Sequence, residues 1–101
     1  MPQDSVELAS CQTLDRVALI TLANERSRNA LSLAMIETLT TFFIQLAARR
    51  DIHVIVLQAE GPVFCAGHDL RELTAHRNDE DGGHAFYTQT MTACSMLMQH
   101  I

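Results

Sequence analysis

Apolar and polar positions along the chain fall into blocks with different periods. Arg16–Leu22 (RVALITL) is aliphatic and β-branched and reads as a strand. Residues 6–11 form a weaker candidate strand, and Gln12–Asp15 between the two would make a hairpin turn. Ala23–Leu31 (ANERSRNAL) is polar and irregular, a loop carrying arginines. Leu33, Ile36, Leu39, Phe43, Leu46 and Ala47 then recur at helical steps, with Ser32 placed to cap the first turn through its hydroxyl. Arg49 and Arg50 fall near the end of that stripe, where cations complement a helix macrodipole. His53–Gln58 (HVIVLQ) is apolar without alternation, the pattern of a strand covered on both faces. Strand, helix, strand in that order is the plan of a crossover connection.

Glu60–Asp69 (EGPVFCAGHD) is turn-rich, with Gly61-Pro62 and Gly67. Asp69 and Glu72 have the spacing of a capping box, so a helix is predicted to start at Leu70. Asn78–Gly83 (NDEDGG) is an acidic loop, and a flap over a ligand pocket is one use for it. Phe86, Tyr87, Met91, Cys94, Leu97, Met98 and Ile101 return to helical spacing. Their apolar face runs to Ile101 with no Gly or Asn cap behind it, which predicts a truncated chain.

A length of 101 residues allows one small domain at most, or a piece of a larger one. Apolar residues at 48% and charged residues at 19% fit a folded protein, not a disordered one. No apolar run approaches the ~20 residues of a membrane span, so no membrane partner is expected. Met1-Pro2-Gln3-Asp4 lacks the basic-then-apolar plan of a secretory leader, and a cytoplasmic location is expected. Twelve acids against seven bases give a net charge of −5, and every base is arginine. Without a basic stripe the chain is a poor nucleic-acid binder and no nucleic-acid partner is expected, while Schiff-base chemistry is excluded for want of any lysine. Cys11, Cys65 and Cys94 are odd in number and widely spaced, which argues against a disulfide framework and for a reducing compartment.

Candidate chemistry concentrates in Glu60–Leu73 (EGPVFCAGHDLREL). A strand enters a glycine turn and a helix starts at once behind it, a junction that presents unpaired N–H groups and a positive helix end to an oxyanion. Gly67 suits a backbone that approaches a ligand closely or takes a dihedral other residues avoid. Asp69 as N-cap would leave the His68 amide pointing outward. Simpler readings stand beside this one. Cys65-x-x-His68 is at most half of a metal site, and no metal is expected. Cys65 is better read as a small filler than as a nucleophile, and the His68 ring as secondary to its amide. Arginines such as Arg26, Arg28 and Arg71 are most often surface charges.

The run Gly61–Leu73 resembles the G-x-x-F-x-x-G-x-D-[LI]-[KR]-E segment of the crotonase superfamily, the enoyl-CoA hydratase/isomerase fold. Asn29-Ala30-Leu31, the amphipathic helix and the V-I-V-L strand recur before it in the same order, so the resemblance covers about Arg16 to Ile101. It implies an α/β fold, the N-terminal part of a crotonase-like (ClpP/crotonase) spiral of ββα units. Residues 1–101 would be the N-terminal portion of a single enoyl-CoA hydratase/isomerase domain. It further implies an acyl-CoA thioester as substrate, with coenzyme A part of that substrate and no separate cofactor. The His68 N–H takes the place of an oxyanion-hole donor, and Ala66 a position whose carbonyl meets coenzyme A. Arg26, Ser27, Arg28, Asp69, Leu70 and Arg71 fall at coenzyme-binding positions, with Gly67 as the structural turn. The second oxyanion amide and the acid/base carboxylates of hydratases lie beyond the region resembled. A homotrimer or hexamer is the family's assembly. The Gly-His-Asp-Leu variant is similar to one subgroup in which those carboxylates are not assured, so a non-catalytic acyl-CoA binder or regulatory paralogue is the alternative to an enoyl-CoA hydratase or isomerase of fatty-acid metabolism.

Overall fold

A computed structural model describes residues 7–101. Val6, at the start of the first candidate strand, and the Met1–Asp4 leader reading lie outside the described residues.

Strands β1 (Ala9–Leu14), β2 (Val17–Leu22) and β3 (Val54–Ala59) form one sheet in that order. The first pair is antiparallel and the second parallel. The hairpin is tighter than the sequence implied: Gln12–Leu14 belong to β1, and only Asp15 and Arg16 turn. Asp15 makes this possible by taking a positive φ of 55°, which Asp tolerates better than most residues.

Alternation along β2 sends Ala18, Ile20 and Leu22 to one face, where all are buried. Helix α1 (Leu33–Ala47) covers that face with Met35, Ile36, Leu39, Phe43 and Leu46. Its first turn is capped as the sequence requires, with the Ser32 hydroxyl accepting from the Met35 N–H at 3.1 Å. Its other end differs from expectation. Arg49 and Arg50 lie past the helix, and Arg49 pairs with Asp51 at 2.6 Å in solvent instead of serving the macrodipole. That hydrogen bond holds the Asp51 carboxyl below its usual range and raises the guanidinium.

Helices α2 (Leu70–Ala75) and α3 (His84–His100) follow. Leu97 is the one large apolar side chain of α3 that enters the core, among residues the sequence had placed on a single stripe. The acidic segment before α3 is tied down by its own backbone. Asp81 accepts from the N–H groups of Ala85 and Gly83 at 2.8 and 2.9 Å, bonds that lower its pKa.

The third strand corrects the sequence reading. Val54, Ile55 and Val56 are 53, 37 and 41% exposed, not covered on both faces. Register explains this: Ile55, Leu57 and Ala59 share the core face with Ala18, Ile20 and Leu22, but β3 is the sheet's edge and the helices stop short of it. A groove of about 290 Å³ opens there between Phe43, Ile55, Leu57 and Ile101.

Candidate functional site

Two loops meet at the carboxyl ends of β2 and β3. The first runs from Ala23 to Ser32 through a short 3₁₀ turn at Glu25–Ser27, and the second from Glu60 to Asp69. Arg28 and Asn29 both take left-handed backbone, with φ of 56° each, which doubles the first loop back on itself. The loops are then laced together by main-chain bonds. Ala66 N–H donates to Arg28 O at 3.0 Å, Leu31 N–H to Gly67 O at 2.7 Å, and Asp69 N–H to Leu31 O at 3.3 Å.

Leu31 and His68 form a parallel bridge in which Leu31 uses the polar groups of Gly67 and Asp69. Strand geometry therefore turns the N–H of His68 to the opposite side. Among the described residues no acceptor reaches it. Gly67 supports this arrangement with a φ of 88°. A Cβ there would meet nothing within 4 Å, so it is the dihedral and not close packing that asks for glycine.

The helix end is not the open anion site that the sequence offered. Helix α2 is only 6 residues long, and the Asp69 carboxylate already accepts from the Arg71 and Glu72 N–H groups at 3.0 and 3.2 Å. The capping box is also only half formed. Glu72 does not return to Asp69; its Oε1 accepts from the Leu33 N–H at 2.8 Å and fastens α2 to the start of α1. Both carboxylates beside the His68 amide are thus committed.

The same loop walls a small apolar cavity of about 80 Å³ between Leu22, Leu31, Leu57, Phe64, Cys65 and Leu97. Cys65 Sγ accepts from the Gly67 N–H at 3.5 Å and faces this wall, as a filler would. The His68 ring nitrogen Nδ1 is buried with no partner among the described residues. Leu70 is 72% exposed and Phe64 54%, two large apolar groups left on the surface of one short segment. Ala66 is exposed beside them.

The remaining candidates divide. Arg26, Arg28 and Arg71 are exposed, and none has an ion-pair partner among the described residues. The backbone brings Arg28 against Ala66. Ser27, in contrast, turns inward: its hydroxyl donates to Asn24 O and accepts from the Ala30 N–H, both at 3.3 Å. Asn29, in the sequence one letter of the Asn-Ala-Leu motif, is wholly buried and bonded to both loops. Its signal was an asparagine in a polar loop directly before the apolar pair Ala30-Leu31, and nothing local says where its amide reaches. The three cysteines are free thiols, and among the described residues no group of three metal-ligating side chains gathers. No helix among them is long and apolar enough to cross a membrane.

A family model for enoyl-CoA hydratase/isomerase matches residues 17–100. Human enoyl-CoA hydratase domain-containing protein 3, whose name places it in mitochondria, is 42% identical over 92 residues, which is 91% of this chain and 29% of that protein. The crystal structure of the human protein superimposes with a TM-score of 0.83 at 39% identity, covering 94% of this chain and 36% of its own. An enoyl-CoA hydratase from Mycobacterium smegmatis gives 0.84 at 34% identity, covering 95% and 36%. The chain therefore spans about a third of the length of these relatives. Matched by the family model over most of its length and superimposing on these relatives, this chain belongs to the enoyl-CoA hydratase/isomerase family and has the crotonase fold.

Proposed function

We propose that this chain is the N-terminal portion of a single enoyl-CoA hydratase/isomerase domain and binds an acyl-CoA thioester. The observation that carries the reading is the His68 N–H, held without an acceptor among the described residues where its loop also walls an apolar cavity. A thioester carbonyl seated on that N–H would gain negative charge as an enolate forms, and a fixed donor stabilises that charge more than it does the ground state. The acyl chain would follow the cavity, and Leu70 would meet the coenzyme. Arg26, Arg28 and Arg71 would face its phosphates, which offsets the repulsion of a chain of net charge −5. No resident cofactor enters this chemistry, since the coenzyme arrives with the substrate. Hydration or isomerisation of a 2-enoyl-CoA in fatty-acid metabolism then needs a second amide and acid/base groups from the rest of a domain, assembled as a homotrimer or hexamer.

A second reading follows from the Gly-His-Asp-Leu variant at residues 67–70, which is similar to a subgroup whose catalytic carboxylates are not assured. On it, the protein is a non-catalytic acyl-CoA binder. Both readings predict that calorimetry finds crotonyl-CoA bound more tightly than crotonate. The margin should shrink between about 50 and 500 mM salt, because contacts between exposed charges are screened. Equal affinity for acid and thioester would remove coenzyme recognition from the account.

A further inference from the structure

We infer that Asn29 is the positioning residue of this site: its side chain clamps the His68 loop against the loop before α1 and thereby aims the amide. The inference rests on the proposed use of that amide toward a thioester. Asn29 is fully buried, and a buried amide must satisfy its donors and its acceptor. Its Oδ1 accepts from the Asn24 N–H at 2.8 Å within its own loop. Its Nδ2 donates to Glu60 O and Val63 O, each at 3.0 Å, across to the second loop. The orientation of the amide is set by these partners, since the two carbonyls can only accept and the Asn24 N–H can only donate.

Position on the chain matters as much as the bonds. Val63 lies four residues before Gly67, and among the described residues the segment between them carries only one further cross-loop bond, from Ala66 N–H to Arg28 O. The donors of Asn29 therefore fix where the second loop leaves β3, and the Leu31 bridge fixes where it reaches His68. Asparagine suits both demands of the place. It tolerates the left-handed φ of 56°, and its NH₂ group supplies two donors to two carbonyls. Aspartate keeps the shape and the acceptor and loses both donors. Glycine keeps the backbone and loses every side-chain bond.

The test uses the whole chain labelled with ¹⁵N, with crotonyl-CoA as the probe. In Asn29→Asp, exchange of the Leu31, Ala66 and Asp69 amides should quicken roughly 10- to 100-fold, while β2 amides such as Ile20 stay protected. Asn29→Gly should do the same, and it serves in place of the aspartate variant should that one fail to fold. In the native chain, crotonyl-CoA should move the His68 amide resonance; in either variant that movement should be lost while shifts at Arg26 and Arg71 persist. A merely structural role would raise exchange in β2 and the loops together and would lose every ligand shift at once, and that pattern overturns the inference. Unchanged loop exchange in both variants also overturns it. If the native chain shows no His68 shift with crotonyl-CoA, the thioester reading fails, while the exchange data still decide whether Asn29 is the clamp.

Discussion

Replacing His68 by proline should remove the chemistry that replacing it by alanine leaves in place. A suitable host is a hybrid in which residues 7–101 stand for the matching third of the Mycobacterium smegmatis hydratase, with which they superimpose at a TM-score of 0.84. Loss of one oxyanion donor typically costs a factor of about 100 to 1,000 in turnover. His68→Pro should show that loss, because proline has no N–H to offer. The cross-loop bonds should survive it, since Leu31 is bonded to the carbonyl of Gly67 and the N–H of Asp69 and not to His68 itself. His68→Ala keeps the N–H and should keep most of the rate. Gly67→Val should fail as proline does. A φ of 88° strains a β-branched residue by about 1–3 kcal/mol, and the loop can relieve that only by turning the amide. Initial rates with crotonyl-CoA check all three. A collapse of turnover in a folded His68→Ala hybrid would shift the role to the imidazole, whose Nδ1 is buried without a partner among the described residues.

The 101-residue chain by itself should turn over no crotonyl-CoA and should self-associate. Its described residues supply the His68 amide at the site, and the two nearest carboxylates are engaged as cap and tether. The open edge of β3 adds unpaired backbone groups beside exposed Val54, Ile55 and Val56, and Met98 and Ile101 extend that apolar surface. Leu97, which the helical spacing had grouped with them, is buried and contributes nothing to it. Sedimentation should find oligomers that dissociate in Val56→Lys, a charge placed on the open strand away from the core face. A monodisperse monomer with an enzyme-like rate would contradict both halves of this expectation.

What the sequence disclosed here was local. Ser32 and Asp69 cap the helices they were assigned, because an N-cap depends on a few neighbouring residues. The buried stripe of α1 follows from period alone, and so does the buried face of β2. Longer-range features escaped. Glu72 sits at capping-box spacing but reaches Leu33, 39 residues away, and no local rule prefers one N–H over the other. The apolar run of β3 reads as a doubly covered strand because composition records what a strand is suited to pack against, not what lies beside it in this chain. The positions assigned to coenzyme binding rest on the family resemblance alone. Local sequence physics specifies an amide before a capped helix and nothing of the ligand beyond it.

Infrared difference spectroscopy of crotonyl-CoA carrying ¹³C at the thioester carbonyl tests the central claim most directly. On binding to the native chain, the labelled carbonyl stretch should move to lower frequency, because a hydrogen bond from the His68 N–H draws charge onto the oxygen. His68→Ala should give the same displacement, and His68→Pro should return the band to its position in water while the coenzyme remains bound. A bound thioester whose carbonyl band is the same in all three proteins would contradict the account.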